Sequence, residues 1–574
     1  MRYRLAIVGG GPRTTYALSD LLALIDCGLP ADALTIEVFE AMGEFGAGRV
    51  YSAALPPYLE MNRLSDQIAL YPQLRSLAPQ NGDATGVPSV FHDWVERMTS
   101  QRLGAFFPPR RLHGLALRET FESVAALLRN RGVELALHRH SVETIDADGS
   151  HPIVCAAGQE FVADEVLLSV GHGLVDGRSY TAAWADAESA GTVVVRGQGL
   201  TALDAVLVLT EGRGGIFDDT DCFARTYRPS GREPRSIRLC GGRTHLDWPR
   251  PYHRAEHPFA GLTGLPAPRV DVLRDAPAEA AERISAWLAA SVADVIAEVC
   301  ALPYAARPIV EHNTTALVRR AVQVCGSLDD ILDSQATQRA RTVLGALAPW
   351  GIDPAPTLFA SPQVLAAAVQ GVPRDPVVTA VEFVLRERRD QLSALVQSLP
   401  PQHRVAVTER VLPSINSFVN GPSPRVYAKM LTLARAGRLE FGADSTAEQS
   451  DSHTVLEAYI PRAYLADTGT LLGRLAERGY VSTGIRLGAG QRREDRIAVD
   501  AAMRVVAGDG LRRNLFAVGA YVDDGALLQA SALRPGTGHQ VAREVRSWSQ
   551  GFSRRITGYA QVTDLGLEGL SAIA

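Results

Sequence analysis

The chain has 574 residues, too many for one simple hydrophobic core, so two to four lobes are expected. Hydrophobic residues make up 46% and charged residues 21%, which describes an ordinary globular protein rather than a disordered one. The net charge of -5 comes with no long basic block, which argues against a nucleic-acid partner, and six scattered cysteines form no C-x-x-C redox or zinc pair.

The N-terminus, MRYRLAIVGGGP, has too short an apolar run for a signal peptide, and no stretch is apolar for the roughly 18 residues a membrane helix needs. A cytoplasmic protein is expected. Arg4 to Val8 reads as a strand, Gly9-Gly10-Gly11-Pro12 as a turn and TTYALSDLLALI as a helix; LTIEVFE then reads as a buried strand ending in Glu40. That is a βαβ unit.

Gly9 and Gly11 stand as the first two glycines of G-x-G-x-x-G, with Thr14 in place of the third. The first permits a tight bend, and the second lets backbone amides approach a pyrophosphate at the positive end of a helix. Gly9, Gly11, Pro12, Arg13 and Thr14 are therefore candidate phosphate-side contacts, and Glu40 is placed to accept both hydroxyls of an adenosine ribose.

From Gly43 to about Pro88 lies a long Gly-, Pro- and polar-rich loop, of the kind that usually serves a site. Within it Gly48, Arg49, Met61 and Asn62 are candidate cofactor contacts. The planar fork of Arg49 suits a phosphate oxygen, and it equally suits tying the loop down. Helical patterns follow at FHDWVERMTSQ and LRETFESVAALLRN, then strand patterns up to ADEVLLSVGHG.

A second strand, glycine turn and helix begin at TVVVRGQGLTALDAVLVL, with Gly197 and Gly199 in the turn. Where the next strand is expected to end the chain reads YRPSGR, and Arg228, Ser230 and Arg232 would suit the 2′-phosphate of NADPH; surface pairing of these arginines is the plainer reading. Between about Asp271 and Arg386, Ala-rich segments with a 3.6-residue period predict a helical insertion. Near the C-terminus RIAVDAAMRVV and NLFAVGAYVDDG predict strands feeding a helix at TGHQVAREVRSW.

The stretches GGGPR, GAGRVY, LEMN, SVGHG, RGQGLTALDAV, LTEGRGG, YRPSGREP and NLFAVG, in this order, resemble a bacterial family of FAD/NAD(P)-binding proteins. That family is related to the flavoproteins with two dinucleotide-binding domains and is flavin monooxygenase-like. The resemblance runs from Ala6 to about Arg543 and is weakest in the helical insertion. It implies FAD on the N-terminal unit, with Gly9, Gly11 and Glu40 matching the ADP-binding motif and Gly171 the point where the chain crosses between lobes. It also implies that the strand NLFAVGAYVDDG, with Gly519 within it, ends by bringing Asp523 or Asp524 to the flavin ribityl chain, ahead of a helix whose amides face the flavin.

The expected architecture is α/β, with two Rossmann-like dinucleotide-binding domains of the flavoprotein type and a helical insertion. FAD binding is assigned to residues 1–190 and 511–574, NAD(P) binding to 191–270 and 401–510, and the insertion to 271–400. The leading expectation for function is an FAD- and NADPH-dependent monooxygenase: hydride reduces FAD, O2 adds to reduced flavin, and the flavin hydroperoxide oxygenates a small molecule, with amine N-hydroxylation as one form. Two alternatives stay open, an FAD-dependent oxidase or dehydrogenase with a vestigial nicotinamide site, and a non-flavin protein binding a nucleotide or S-adenosylmethionine. His172, His245, His253 and His312 are scattered and carry no assigned role; no H-E-x-x-H, Cys/His cluster or G-x-S-x-G motif supports metal-dependent hydrolysis or acyl transfer.

Overall fold

The computed structural model describes residues 2–72, 87–171, 181–187, 191–218, 226–241, 388–399, 420–442, 454–458, 469–482, 497–523, 532–535 and 539–571, with Asp247, Arg250, Ile284, Trp287, Leu288, Ser291 and Val384. The apolar run YRLAIV forms β1 (Tyr3–Val8), buried along nearly its whole length, as a strand covered on both faces must be. Helix α1 (Pro12–Asp26) follows, and β2 (Leu34–Phe39) returns parallel to β1 with Phe39 opposite Val8.

Helices α2 (Phe91–Thr99) and α3 (Arg110–Asn130) precede β3 (Glu134–His138), which extends the sheet beside β2. An antiparallel trio, β4 (Val142–Asp146), β5 (Ile153–Ala156) and β6 (Gln159–Val162), interrupts the pattern before β7 (Glu165–Leu168) pairs with the other edge of β1.

After the short α4 (Ala182–Ala185), the second unit opens with β8 (Thr192–Arg196) and α5 (Leu200–Leu209). The next parallel strand of that sheet is not where the sequence reading put it. β9 (Ile216–Phe217) and β10 (Tyr227–Arg228) form a small antiparallel pair, and the strand beside β8 is β11 (Ser236–Cys240), with Ser236 opposite Thr192 and Cys240 opposite Arg196. In the range predicted as an insertion, the described Ile284, Trp287, Leu288, Ser291 and Val384 are helical, as is α6 (Arg389–Ser398).

Helix α7 (Pro424–Arg435) leads to β12 (Leu439–Gly442), and β13 (Thr454–Glu457) joins the other edge, giving a parallel sheet in the order β12-β11-β8-β13. Then come α8 (Leu471–Glu477), β14 (Ile497–Ala498), β15 (Leu515–Ala517) and β16 (Val522–Asp523). β15 closes the first sheet in the order β15-β7-β1-β2-β3, and α9 (Gln540–Ser571) ends the described chain. The fold is thus α/β, with two parallel sheets that each open on a strand, a glycine turn and a helix.

Leu472, Leu475, Tyr480, Val481, Ile497, Met503 and Val505 pack into the first core, with Leu18 of α1, Phe121 of α3 and Trp548 of α9. The chain therefore rejoins the first lobe from α8 onward, about forty residues before the boundary at 511 drawn from sequence; the apolar face of α8 faces β4, to which Arg474 also reaches by donating to the Glu143 carbonyl at 2.7 Å. Conversely Leu55 and Leu59, in the long N-terminal loop, bury in the second core with Val193, Val206 and Met430.

At the lower end of the first sheet Glu165 is fully buried and accepts from Trp548 Nε1 at 2.8 Å, from the Tyr3 hydroxyl at 3.3 Å and from both Nε and Nη2 of Arg555 at 2.8 and 3.0 Å. Burial pushes its carboxyl upward, against the pull of Arg555. The group ties the C-terminal helix to the sheet it covers.

Candidate functional site

The carboxyl ends of β1, β2, β7 and β15 meet above the first sheet, where ligands of open parallel sheets bind. Gly9 has φ +103°, and a Cβ there would lie 2.2 Å from the carbonyl oxygen of Ser169, so backbone strain and close approach both demand glycine. Its amide donates to the Phe39 carbonyl at 2.8 Å, locking the turn to the end of β2. Thr14, wholly buried, donates its hydroxyl back to the Gly9 carbonyl, so the residue in the third glycine's place closes the turn instead of merely fitting it.

Helix α1 starts at Gly11 with no side-chain cap, Pro12 at its first turn and no acidic residue within that turn. A Cβ on Gly11 would meet only Gly48 Cα, at 3.7 Å. The positive helix end therefore presents backbone alone, a surface that takes an anion. Glu40 sits beside it: one carboxylate oxygen accepts from the Gly10 amide at 2.7 Å and the other from the Met42 amide at 3.1 Å. A carboxylate has about four lone-pair positions, which leaves two for hydroxyl donors.

The long loop folds over this turn. Gly46 donates its amide to the Gly10 carbonyl at 2.6 Å, and Phe45 lies so close that a Cβ on Gly10 would be 2.8 Å from its ring. Arg49 begins a short 3-10 turn directly after Gly48, and its Nη1 is buried with no hydrogen-bond partner. Gly48, the residue before it, lies against Gly11 at the uncapped helix end, and an orphaned guanidinium nitrogen suits an anionic partner. Met61 is buried and Asn62 lies further off, donating to the Asn420 carbonyl at 3.2 Å and receiving Arg250 Nε on its own carbonyl at 3.1 Å. Those two contacts place Asn62 on the seam with the second lobe.

Arg13 turns away from the glycine turn and pairs with Glu544 of α9 at 3.1 Å. Gly519, at φ +113°, comes close to that arginine, so the end of β15 does reach α1. Asp523 lies in β16, opposite Ala498 of β14. Asp524, His172, His245, His253 and His312 fall outside the described residues, and Gly171 is the last described residue after β7.

The second turn repeats the first in detail. Gly197 has φ +138°, a Cβ there would sit 2.3 Å from the Ala458 carbonyl oxygen, and its amide donates to the Cys240 carbonyl at 2.7 Å. Gly199 starts α5, again without a side-chain cap or early acid. Because Gly9 bonds Phe39 and Gly197 bonds Cys240, the counterpart of Glu40 is Gly241, against which the side chain of Gln198 lies. No carboxylate stands there.

Arg228, Ser230 and Arg232 are corrected by this register. They precede β11, and Arg235 donates to the Gly191 carbonyl at 3.0 Å, before β8 begins. The five residues of β8 stand between Gly191 and Gly197, so roughly 20 Å separate that edge from the glycine turn. The loop is closed on itself: Glu233 accepts from the Tyr227 hydroxyl at 2.8 Å and the amides of Ser230 and Gly231 at 2.7 and 2.9 Å, and these bonds hold its carboxyl down at about 2 although burial works against them. Ser230 donates to the Arg213 carbonyl at 2.8 Å, at the far end of α5.

Sequence reading missed Gly241, because a strand was assigned to the wrong segment, and it missed Asp204. The signal for Asp204 was present: a lone acid in the apolar helix LTALDAVLVL requires a buried partner. That partner is Arg110. Among the described residues no helix is long and apolar enough to cross a membrane, and no His, Cys, Asp or Glu cluster could hold a metal ion.

Comparison with known proteins adds to this geometry. Residues 6–173 match a family model described as FAD-NAD(P)-binding. The chain is 32% identical over 261 residues to a nitrosuccinic acid synthase of Aspergillus oryzae, a match covering 40% of this chain and 38% of that protein. It is 28% identical over 309 residues to an L-aspartate N-monooxygenase (nitrosuccinate-forming) of Streptomyces cremeus, covering 46% and 45%. The matches thus span less than half the length of these curated relatives. Among solved structures, an ornithine hydroxylase from Pseudomonas aeruginosa aligns at TM-score 0.44 and 12% identity over 96% of this chain and 99% of that one.

Proposed function

We propose that this chain is an FAD- and NADPH-dependent monooxygenase that oxygenates the amine nitrogen of a small amino acid. The observation that carries the reading is the duplicated glycine turn, with a carboxylate at the strand end of the first unit and a glycine at that of the second. FAD, when bound, supplies the acceptor for a nicotinamide hydride and the activation of dioxygen.

The chain's own residues do the holding. The Gly9–Gly11 turn and the start of α1 take the flavin dinucleotide's diphosphate, Arg49 adds a positive charge, and the open lone pairs of Glu40 take the adenosine ribose. The turn at Gly197 and Gly199 takes the second dinucleotide. At Gly241 there is no carboxylate to repel a 2′-phosphate, so the turn admits NADPH. The arginines of the 228–232 loop have no part in this.

The substrate class rests on the N-oxygenating curated relatives, two of them named for L-aspartate, and on the match to the FAD-NAD(P)-binding model. Cys27 and Cys155 carry free thiols, which fits a reducing compartment and the cytoplasm. The test is product formation: the FAD-loaded protein with NADPH, air and L-aspartate should yield an N-oxygenated aspartate by mass spectrometry. If a panel of amino acids and simple amines gives only NADPH-driven peroxide, the N-oxygenation reading fails. Flavin reduction by a substrate without NADPH would instead indicate an oxidase or dehydrogenase.

A further inference from the structure

The long loop of the first lobe, α3 and α5 meet in a buried polar chain that neither glycine turn requires. Arg110, the first residue of α3, donates through Nη1 and Nη2 to the two carboxylate oxygens of Asp204 on α5, the Nη2 bond being 3.1 Å. Its Nε donates to the Glu60 carbonyl at 3.0 Å and its amide to the Leu59 carbonyl at 2.8 Å. Both charged residues are over nine-tenths buried, at 8% and 6% exposure.

The chain of contacts continues. The Glu60 carboxylate accepts from the Ser423 hydroxyl at 2.6 Å, and Ser423 is the N-cap of α7, receiving the Val426 amide at 3.2 Å. Lys429 of α7 in turn reaches Glu211, just past the end of α5, at 2.6 Å. Asp204 lies five residues beyond Gly199, so it sits about 7 Å along α5 from the end that faces the second glycine turn.

A buried ion pair is a costly way to gain stability, since apolar residues of similar size would serve as well or better. What a bidentate pair supplies is a fixed angle and distance between the two groups that make it. We propose that Arg110 and Asp204 are positioning residues, which lock α5 against the first lobe and so fix how the second dinucleotide is presented to the first.

This inference rests on the functional reading above. Misplacement by about 1 Å costs on the order of 100-fold in a transfer step, whereas the affinity of a turn for its own dinucleotide depends on local amides. Arg110→Met and Asp204→Asn should therefore slow flavin reduction at saturating NADPH by about 10- to 100-fold, with the NADPH concentration for half-saturation and the FAD content changing little.

The experiment is anaerobic stopped-flow reduction of the FAD-loaded protein, with thermal melting and small-angle X-ray scattering on the same samples. The apolar double variant Arg110→Met/Asp204→Leu should regain the melting temperature lost by the single variants, keep the slow reduction and show a broadened distance distribution between lobes. Asp204→Glu, which keeps the charge and displaces it by one methylene, should fold and still reduce several-fold more slowly. Reduction at the wild-type rate in the double variant or in Asp204→Glu would overturn the proposal, as would slow reduction that tracks melting temperature alone. A wild-type protein that NADPH does not reduce overturns the functional reading instead.

Discussion

The carboxylate of Glu40 accepts the amide hydrogen of Gly10 at 2.7 Å, so the acid at the end of β2 is held against the glycine turn by the backbone itself. A ribose would complete a set of bonds that the backbone has already begun. Glu40→Ala removes both the held geometry and the charged acceptor. FAD affinity should fall by roughly 10- to 100-fold, the worth of a charge-assisted hydrogen bond of about 1.5–3 kcal/mol. Quenching of FAD fluorescence on titration into apoprotein measures this, and unchanged affinity would remove Glu40 from the site.

The register between the two units makes a second prediction. Gly241→Asp places an acid where Glu40 stands in the first unit, at the expense of moving only the flexible Gln198 side chain. Repulsion of a 2′-phosphate should cut kcat/KM for NADPH by about tenfold or more while leaving NADH little affected. The double variant Arg228→Ala/Arg232→Ala should leave the KM for NADPH as it is. Steady-state reduction with both nicotinamides checks the pair of expectations, and the opposite pattern would return the phosphate to the 228–232 loop.

The contrast between those two sets of residues shows what was legible beforehand. β1, α1, β2 and Glu40 could be read because local pattern and chemistry agree over forty consecutive residues: a buried strand, glycines where φ is positive, a helix and a terminal acid. The second turn was readable for the same reason. Its partner strand was not, because the segment between α5 and β11 holds a short antiparallel pair, β9 and β10, where Tyr227 and Arg228, with Arg232 beyond them, imitate a strand end. Only the parallel register of β11 against β8 reveals that they lie at the other edge. The return of α8 to the first core and the Arg110–Asp204 pair depend on contacts between residues about a hundred or more positions apart, and local periodicity carries no such information.

Asp20, on α1 facing α9, accepts from the Ser549 hydroxyl at 3.1 Å, and burial raises its carboxyl to about 6, with Arg546 opposing. The folded value lies above the unfolded one, so between about pH 4 and 6 the native state binds the extra proton and stability falls as pH rises. The penalty at neutral pH is about 2–3 kcal/mol. Asp20→Asn should therefore raise the melting temperature at pH 7.5 and make little difference near pH 4; an equal effect at both values would show that ionisation is not its cause.

Glu165→Gln leaves the half-buried Arg555 guanidinium without its counter-charge, beside Trp548 and Tyr3. The loss should be about 1.5–3 kcal/mol, the worth of a hydrogen bond to a charged group. Denaturant unfolding monitored by tryptophan fluorescence measures it, and a loss under about 1 kcal/mol would mean that the bonds to Glu165 add little to the hold on α9.

On the function proposed, the two glycine turns hold FAD and NADPH in working contact. Anaerobic addition of NADPH to the FAD-loaded protein, followed by the visible flavin spectrum, tests it most directly. Stoichiometric bleaching by NADPH is the predicted result; a flavin spectrum unchanged by either nicotinamide, or a protein that takes up no FAD at all, would contradict it.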